Sequence, residues 1–187
     1  MLGEAMTSSL PPPLMESYWV LPGRFLAGEY PGDPDEEQAC ERLDALLGAG
    51  VDTFFDLRQP VEGSSYLPVL QRRASRHGLQ ISYERFPILD HGLPGHAEMG
   101  ALLDSMDAAL AHGRKIYVHC WGGIGRTGTT VGCFLVRHGR SGQQALDQIA
   151  EWWQAVPKHK YNPLSPETQE QMQFVLNWHE NRPAGTE

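Results

Sequence analysis

The residues best suited to chemistry lie in one stretch, Lys115-Ile-Tyr-Val-His119-Cys120-Trp121-Gly122-Gly123-Ile124-Gly125-Arg126-Thr127-Gly128. Glycines at 122, 123 and 125 let the backbone turn tightly, so that several N–H groups point inward as an anion nest. A helix starting near Arg126 adds the positive end of its dipole. The result is a cradle for a tetrahedral dianion, bordered by Trp121, Gly122, Gly123, Ile124 and Gly125, with Cys120 at its mouth. Nest amides, helix terminus and Arg126 all favour the thiolate, the nucleophilic form of the sulfur. Arg126 can curl back to hold two oxygens of the dianion bidentately and tighten as charge spreads in a transition state. Lysine does not reproduce that fork. Thr127 is placed to hydrogen-bond the sulfur and help it leave.

The elements around this stretch must deliver it to an open edge. Tyr18–Leu21 and Phe25–Glu29, parted by Pro22-Gly23, read as two short strands. Val51–Leu57, Ile81–Phe86 and Lys115–His119 are three further strands, rich in β-branched and aromatic residues. Helical periodicity marks Glu36–Leu47, Leu67–His77, Glu98–His112, Thr127–His138, a helix from the Ser141 N-cap to Ala155, and a last one over about Ser165–Asn181. Strands alternating with helices predict an α/β fold: a central, mostly parallel twisted sheet with helices on both faces. Ligands of such sheets bind at the carboxyl ends of the strands, where the 120–126 loop would sit. Residues 1–15, with Pro11-Pro12-Pro13, read as a flexible arm, 16–182 as one domain and 183–187 as a tail.

Composition limits the partners. The chain has 187 residues, is 41% hydrophobic and carries a net charge of -8, which excludes a general nucleic-acid binder. No apolar run is long enough to span a membrane, and Met1–Met15 lacks the pattern of a secretory signal. Three cysteines, Cys40, Cys120 and Cys133, do not make a disulfide framework, and a reducing, cytoplasmic setting is the simplest expectation. No cofactor is implied. Its eight histidines show no metal-binding spacing with each other or with the cysteines, so no metal site is expected. Trp152 and Trp153 read as packing on an amphipathic helix, Cys40 and Cys133 as buried, a Cys120–Cys133 disulfide being the alternative for the latter.

His119-Cys120 through Arg126-Thr127-Gly128 matches the signature His-Cys-x5-Arg-Ser/Thr. On that motif, and from about Tyr18 to Trp178, the chain resembles the protein tyrosine and dual-specificity phosphatase superfamily, in particular its compact atypical members. The resemblance implies a metal-free attack by Cys120 on phosphorus, a phospho-cysteine intermediate, and a His119 that tunes the thiolate rather than acting as a base. It also implies a phosphorylated protein or a small phosphate ester as substrate: phosphotyrosine first, extending to phosphoserine and phosphothreonine. Phosphatases of inositol or lipid phosphates are the enzymatic alternative, although the five positions between Cys120 and Arg126 carry no lysine. A non-catalytic phosphate-binding pseudophosphatase is the alternative of another class.

A leaving oxygen needs a proton. Asp90, in Phe86-Pro-Ile-Leu-Asp90-His91-Gly-Leu-Pro94, follows a strand and precedes Cys120 by 30 residues, in the order the resemblance implies for a general acid. A Gly/Pro-rich loop also suits a lid. Asp56 and Glu62 follow another strand and are set aside, as are the helical Asp104 and Asp107 and the loop residue His91. Arg58, at the end of the 51–57 strand, reads equally as a support for the site or as a surface ion pair. Glu167-Thr168-Gln-Glu-Gln171 resembles the family's Gln-Thr-x-x-Gln water-orienting segment with its first glutamine replaced; a plain helix start capped by Ser165 is the other reading.

Overall fold

The structure is a computed structural model in which residues 10–180 are described. Most of the expected arm at 1–15, and the tail at 183–187, lie outside the described residues. Leu14, inside the expected arm, is buried at the edge of the core.

Five strands form one sheet in the order β1-β2-β5-β3-β4. Strands β1 (Ser17–Leu21) and β2 (Phe25–Gly28) make an antiparallel hairpin; β2, β5 (Ile116–His119), β3 (Thr53–Asp56) and β4 (Ser82–Arg85) run parallel. The side-chain period of two divides each central strand between two cores. Phe25, Ala27, Phe55, Ile116 and Val118 face one side, where helices α3 (His96–Ala111), α4 (Gly125–Arg137), α5 (Gly142–Trp153) and α6 (Gln169–Leu176) cover them. Leu26, Phe54 and Tyr117 face the other side, under α1 (Glu36–Gly48) and α2 (Leu67–Arg76). The mostly parallel α/β architecture read from the sequence is the one observed. No helix among the described residues is long and apolar enough to cross a membrane.

The register places Gly28, His119, Asp56 and Arg85 side by side across four strands. All four end one edge of the sheet, and the loops leaving that edge build the site. Ser141 caps α5 as expected, its Oγ accepting from Gln144 N at 3.1 Å. The last helix departs from expectation: it starts at Gln169, not Ser165. The Ser165 hydroxyl donates to Ile124 O at 2.9 Å, Pro166 follows, and Thr168 forms a capping box with Gln171. Trp153 is buried, Cys133 is buried and Cys40 only half-buried; all three cysteines are free.

Candidate active site

Cys120 directly follows β5, and α4 begins five residues later at Gly125, two residues earlier than the Thr127 start expected from the sequence. The loop between them is braced from three sides. Gly123 has φ 74°, and a Cβ there would stand 2.6 Å from Gly28 C and 2.7 Å from Gly28 O, so only glycine fits against β2. Gly125 packs on the Gln171 amide, which a Cβ would approach to 2.8 Å. Lys158 Nζ donates to Gly122 O at 3.2 Å. Gly123 does not line the cavity as expected; its N–H instead turns under the thiol and donates to Cys120 Sγ at 3.3 Å. Thr127 also departs from expectation. Its hydroxyl is buried with no hydrogen-bond partner and makes no bond to the sulfur, because α4 carries it inside the helix's first turn.

Arg126 is buried and its two Nη groups are fully engaged. Nη1 donates to Glu62 Oε1 at 2.7 Å and Ile88 O at 3.0 Å; Nη2 reaches Glu62 Oε2 at 2.8 Å and Asp90 Oδ1 at 2.8 Å. Burial alone would raise the Glu62 carboxyl, but the Arg126 fork outweighs it and holds the group below the usual carboxylate range. Glu62, set aside in the sequence, is thus the side chain that orients the guanidinium. Its signal was its place in the loop after β3, which opens at the same sheet edge as Cys120.

Behind the thiol lies a buried polar cluster. His119 is buried; its Nδ1 is 2.9 Å from Cys120 O and its Nε2 2.7 Å from Tyr66 Oη. A carbonyl only accepts, so Nδ1 carries the proton and Tyr66 donates to Nε2. Burial pushes the His119 pKa down to about 4, so the ring is neutral near pH 7, with Nδ1 engaged by the Cys120 backbone and Nε2 by Tyr66. Beside it, Asp56 accepts from Arg58 N, Nε and Nη2, from Tyr83 Oη at 2.7 Å and from Arg85 Nη2 at 3.0 Å. Burial raises the Asp56 carboxyl, yet it is held below the usual range; with His119 neutral, the Arg58 fork carries that effect. Arg58 is no surface ion pair. It is 1% exposed, donates to Glu62 O at 2.8 Å and lies 3.9 Å from the centroid of the Tyr30 ring. Tyr30 in turn stacks on Trp121 with centroids 5.0 Å apart, so Arg58 and Tyr30 support the rim of the cradle from below.

A cavity of about 190 Å³ opens over the thiol, lined by Asp90, His91, Cys120, Trp121, Gly122, Ile124, Gly125, Arg126 and Glu167. Asp90 and His91 occupy the turn after Ile88, and His91, expected as a plain loop residue, faces this cavity. Gln171 does not reach toward the thiol. Its Nε2 donates to Gly92 O at 3.2 Å, and its Oε1 accepts from Glu167 N and Thr168 N at 3.1 and 3.2 Å. The amide therefore ties the Asp90 loop to the start of α6: Oε1 is occupied by two backbone N–H groups, and Nε2, which has two N–H groups, spends one on Gly92 O rather than on the cavity.

A strand-loop-helix cradle with a thiol, an anchored arginine and a carboxylate over one cavity defines a cysteine-based phosphatase domain. The chain belongs to the family described as Swiss Army Knife protein, DSP-PTPase phosphatase domain (PTP-SAK), which matches residues 15–175. It is 35% identical over 100 residues to the putative tyrosine phosphatase 067L of Invertebrate iridescent virus 3, covering 51% of this chain and 38% of the viral protein. The chain thus spans well under two thirds of that relative. Among solved structures it is similar to kinase associated phosphatase (KAP), crystallised with a serine for its catalytic cysteine: TM-score 0.65, 21% identity, 83% of this chain and 89% of that one. PTPMT1 in complex with PI(5)P has a TM-score of 0.61 at 19% identity, covering 86% of this chain and 92% of that one. Both likenesses concern the fold.

Proposed function

We propose that this protein hydrolyses phosphate monoesters on phosphotyrosine proteins, extending to phosphoserine and phosphothreonine, through a phospho-cysteine at Cys120. The Cys120 thiolate attacks phosphorus, the S–P bond forms and the P–O bond to the leaving group breaks. Asp90 gives its proton to the departing oxygen. Water then attacks the phospho-cysteine, returns a proton to Asp90, and the thiolate leaves inorganic phosphate behind. Arg126, fixed by Glu62, holds the equatorial oxygens, and the loop amides supply the remaining donors. Residues 16–182 serve as the catalytic unit, and the reactive thiol suits a reducing cytoplasm.

One observation carries this reading: Cys120, Arg126 and Asp90 line a single small cavity, with Asp90 2.8 Å from Arg126. Turnover of p-nitrophenyl phosphate in EDTA tests it. Cys120→Ser abolishes that turnover, and unimpaired activity in this variant ends the mechanism. The likeness to a fold crystallised with PI(5)P keeps a lipid- or inositol-phosphate substrate as the second reading. The uncharged positions 121–125 favour a substrate with one phosphate at the site. A panel of phosphopeptides and inositol phosphates separates the two, and release only from the latter reverses the order.

A further inference from the structure

The loop that carries Asp90 is fastened at two points to the first turn of α6 and the residues just before it. One is the Gln171 amide on Gly92 O. The other joins side chains that the reaction scheme does not use. His91 Nδ1 lies 3.2 Å from Glu167 Oε2, and His91 Nε2 lies 3.6 Å from Asp90 Oδ2. The imidazole stands between two carboxylates at ion-pair distance, one ring nitrogen toward each; because carboxylate oxygens only accept, the bridge is the one an imidazolium makes, with a proton on each nitrogen. Arg126 thus holds Asp90 Oδ1 at 2.8 Å, while His91 flanks Oδ2 at 3.6 Å, an ion-pair contact longer than a hydrogen bond.

The turn alone does not account for a histidine here. Residues 89–92 form a turn closed by Gly92 N donating to Leu89 O at 2.8 Å, and His91 adopts φ 54° within it. Histidine tolerates that left-handed conformation, but asparagine or glycine fits it as well or better. What the imidazole adds is a bridge. Asp90 has a side chain 58% exposed, on a turn with few other holds. A proton donor must stay within hydrogen-bond reach of the leaving oxygen, and a displacement of about 1 Å is enough to cost about 10²-fold in rate. Glu167 fixes the ring through Nδ1, and the ring then limits where the Asp90 carboxyl can swing.

We propose that His91 and Glu167 form a latch that positions Asp90 for proton transfer. The proposal rests on Asp90 being the general acid. Both members are positioning residues: in the scheme above neither touches the reacting atoms. The latch is specific to the protonation step. It therefore matters most when the leaving oxygen is basic and least when the leaving group departs without help.

The test is steady-state kinetics on a series of aryl phosphates, from dinitrophenyl to phenyl phosphate, with the full chain and with Asp90→Asn, His91→Asn, His91→Gly and Glu167→Gln. Asparagine and glycine both keep the left-handed turn, so neither His91 variant depends on a strained backbone. Asp90→Asn steepens the dependence of kcat on leaving-group basicity. His91→Asn and Glu167→Gln steepen it part of the way: kcat on phenyl phosphate falls about tenfold while that on dinitrophenyl phosphate changes less than about twofold, with little change in KM. Combining the two substitutions adds little, because either one opens the latch. A uniform fall across the whole series, or a wild-type slope in the His91 and Glu167 variants beside a steep one in Asp90→Asn, overturns the latch and leaves the assignment of Asp90 intact. A wild-type slope in Asp90→Asn removes both.

Discussion

Asp90 Oδ1 lies 2.8 Å from Arg126 Nη2. The carboxylate holds the guanidinium edge that a phosphate oxygen needs, so the proposed acid and the incoming dianion compete for one donor. Substrate binding must turn Oδ1 off Arg126, a rotation of the carboxyl that leaves Oδ2 on the His91 side and frees Oδ1 to face the leaving oxygen.

Asp90→Asn removes this competition and one repelling charge. Orthovanadate or inorganic phosphate should bind it about fivefold more tightly, on the order of 1 kcal/mol for a partly exposed carboxylate near the anion. Its kcat on phenyl phosphate should fall about 10²-fold. Isothermal titration beside steady-state kinetics checks both, and weaker anion binding contradicts the competition.

Glu62→Gln leaves Arg126 without its charged two-point anchor. Charge-assisted hydrogen bonds are worth about 1.5–3 kcal/mol, so kcat should fall at least about tenfold. The effect should appear in kcat rather than in thermal stability, which differential scanning fluorimetry separates.

His119 gives the protein a stability slope with pH. The unfolded chain takes up this proton near pH 6.5, the native state only near pH 4. Between those values the unfolded state binds more protons, so stability is fully present above about pH 6.5 and falls as pH drops toward 4. At about 1.4 kcal/mol per pH unit, the loss across that window is about 3 kcal/mol. Urea midpoints measured from pH 7 to 4 should show this slope in the wild type and a flatter one in His119→Asn.

Gly123→Ala forces a Cβ into the Gly28–Glu29 backbone at a positive φ. The loop must shift, taking with it the N–H that faces Cys120 Sγ. Losing one such preorganised donor costs about 10²–10³-fold in kcat. Gly48→Ala has open space at its Cβ and serves as the control, with turnover unchanged.

The parts of the site that lie close in sequence were the legible ones. Cys120, Arg126 and the intervening glycines are one loop, so residue types and spacing define them without the fold. Asp90 was singled out by its position after a strand together with the order the family resemblance implies. What escaped was long-range pairing: Glu62 reaches Arg126 across 64 positions, and Tyr66 reaches His119 across 53. Such contacts depend on which loops share an edge, and the strand order is not written in any local pattern. Thr127 was assigned a role toward the sulfur from the motif alone, and for Gln171 the motif left a water-orienting role open beside a plain helix start. Packing decided otherwise, through the first turn of α4 and the backbone of Gly92 and Glu167. The start of α6 was misplaced because Ser165 looks like a cap, while its hydroxyl is drawn to Ile124 O.

The row Gly28, His119, Asp56 and Arg85 ties four separate strands to one line. Length changes in this chain therefore fall into two kinds. Residues can be added at the far edge, in the turns at Gly78 or Gly113, without disturbing that line. A single codon lost inside β5 turns every later side chain of the strand to the opposite face of the sheet. Cys120 would then point into the space that His119 fills against Tyr66, and the arginine loop would open toward nothing.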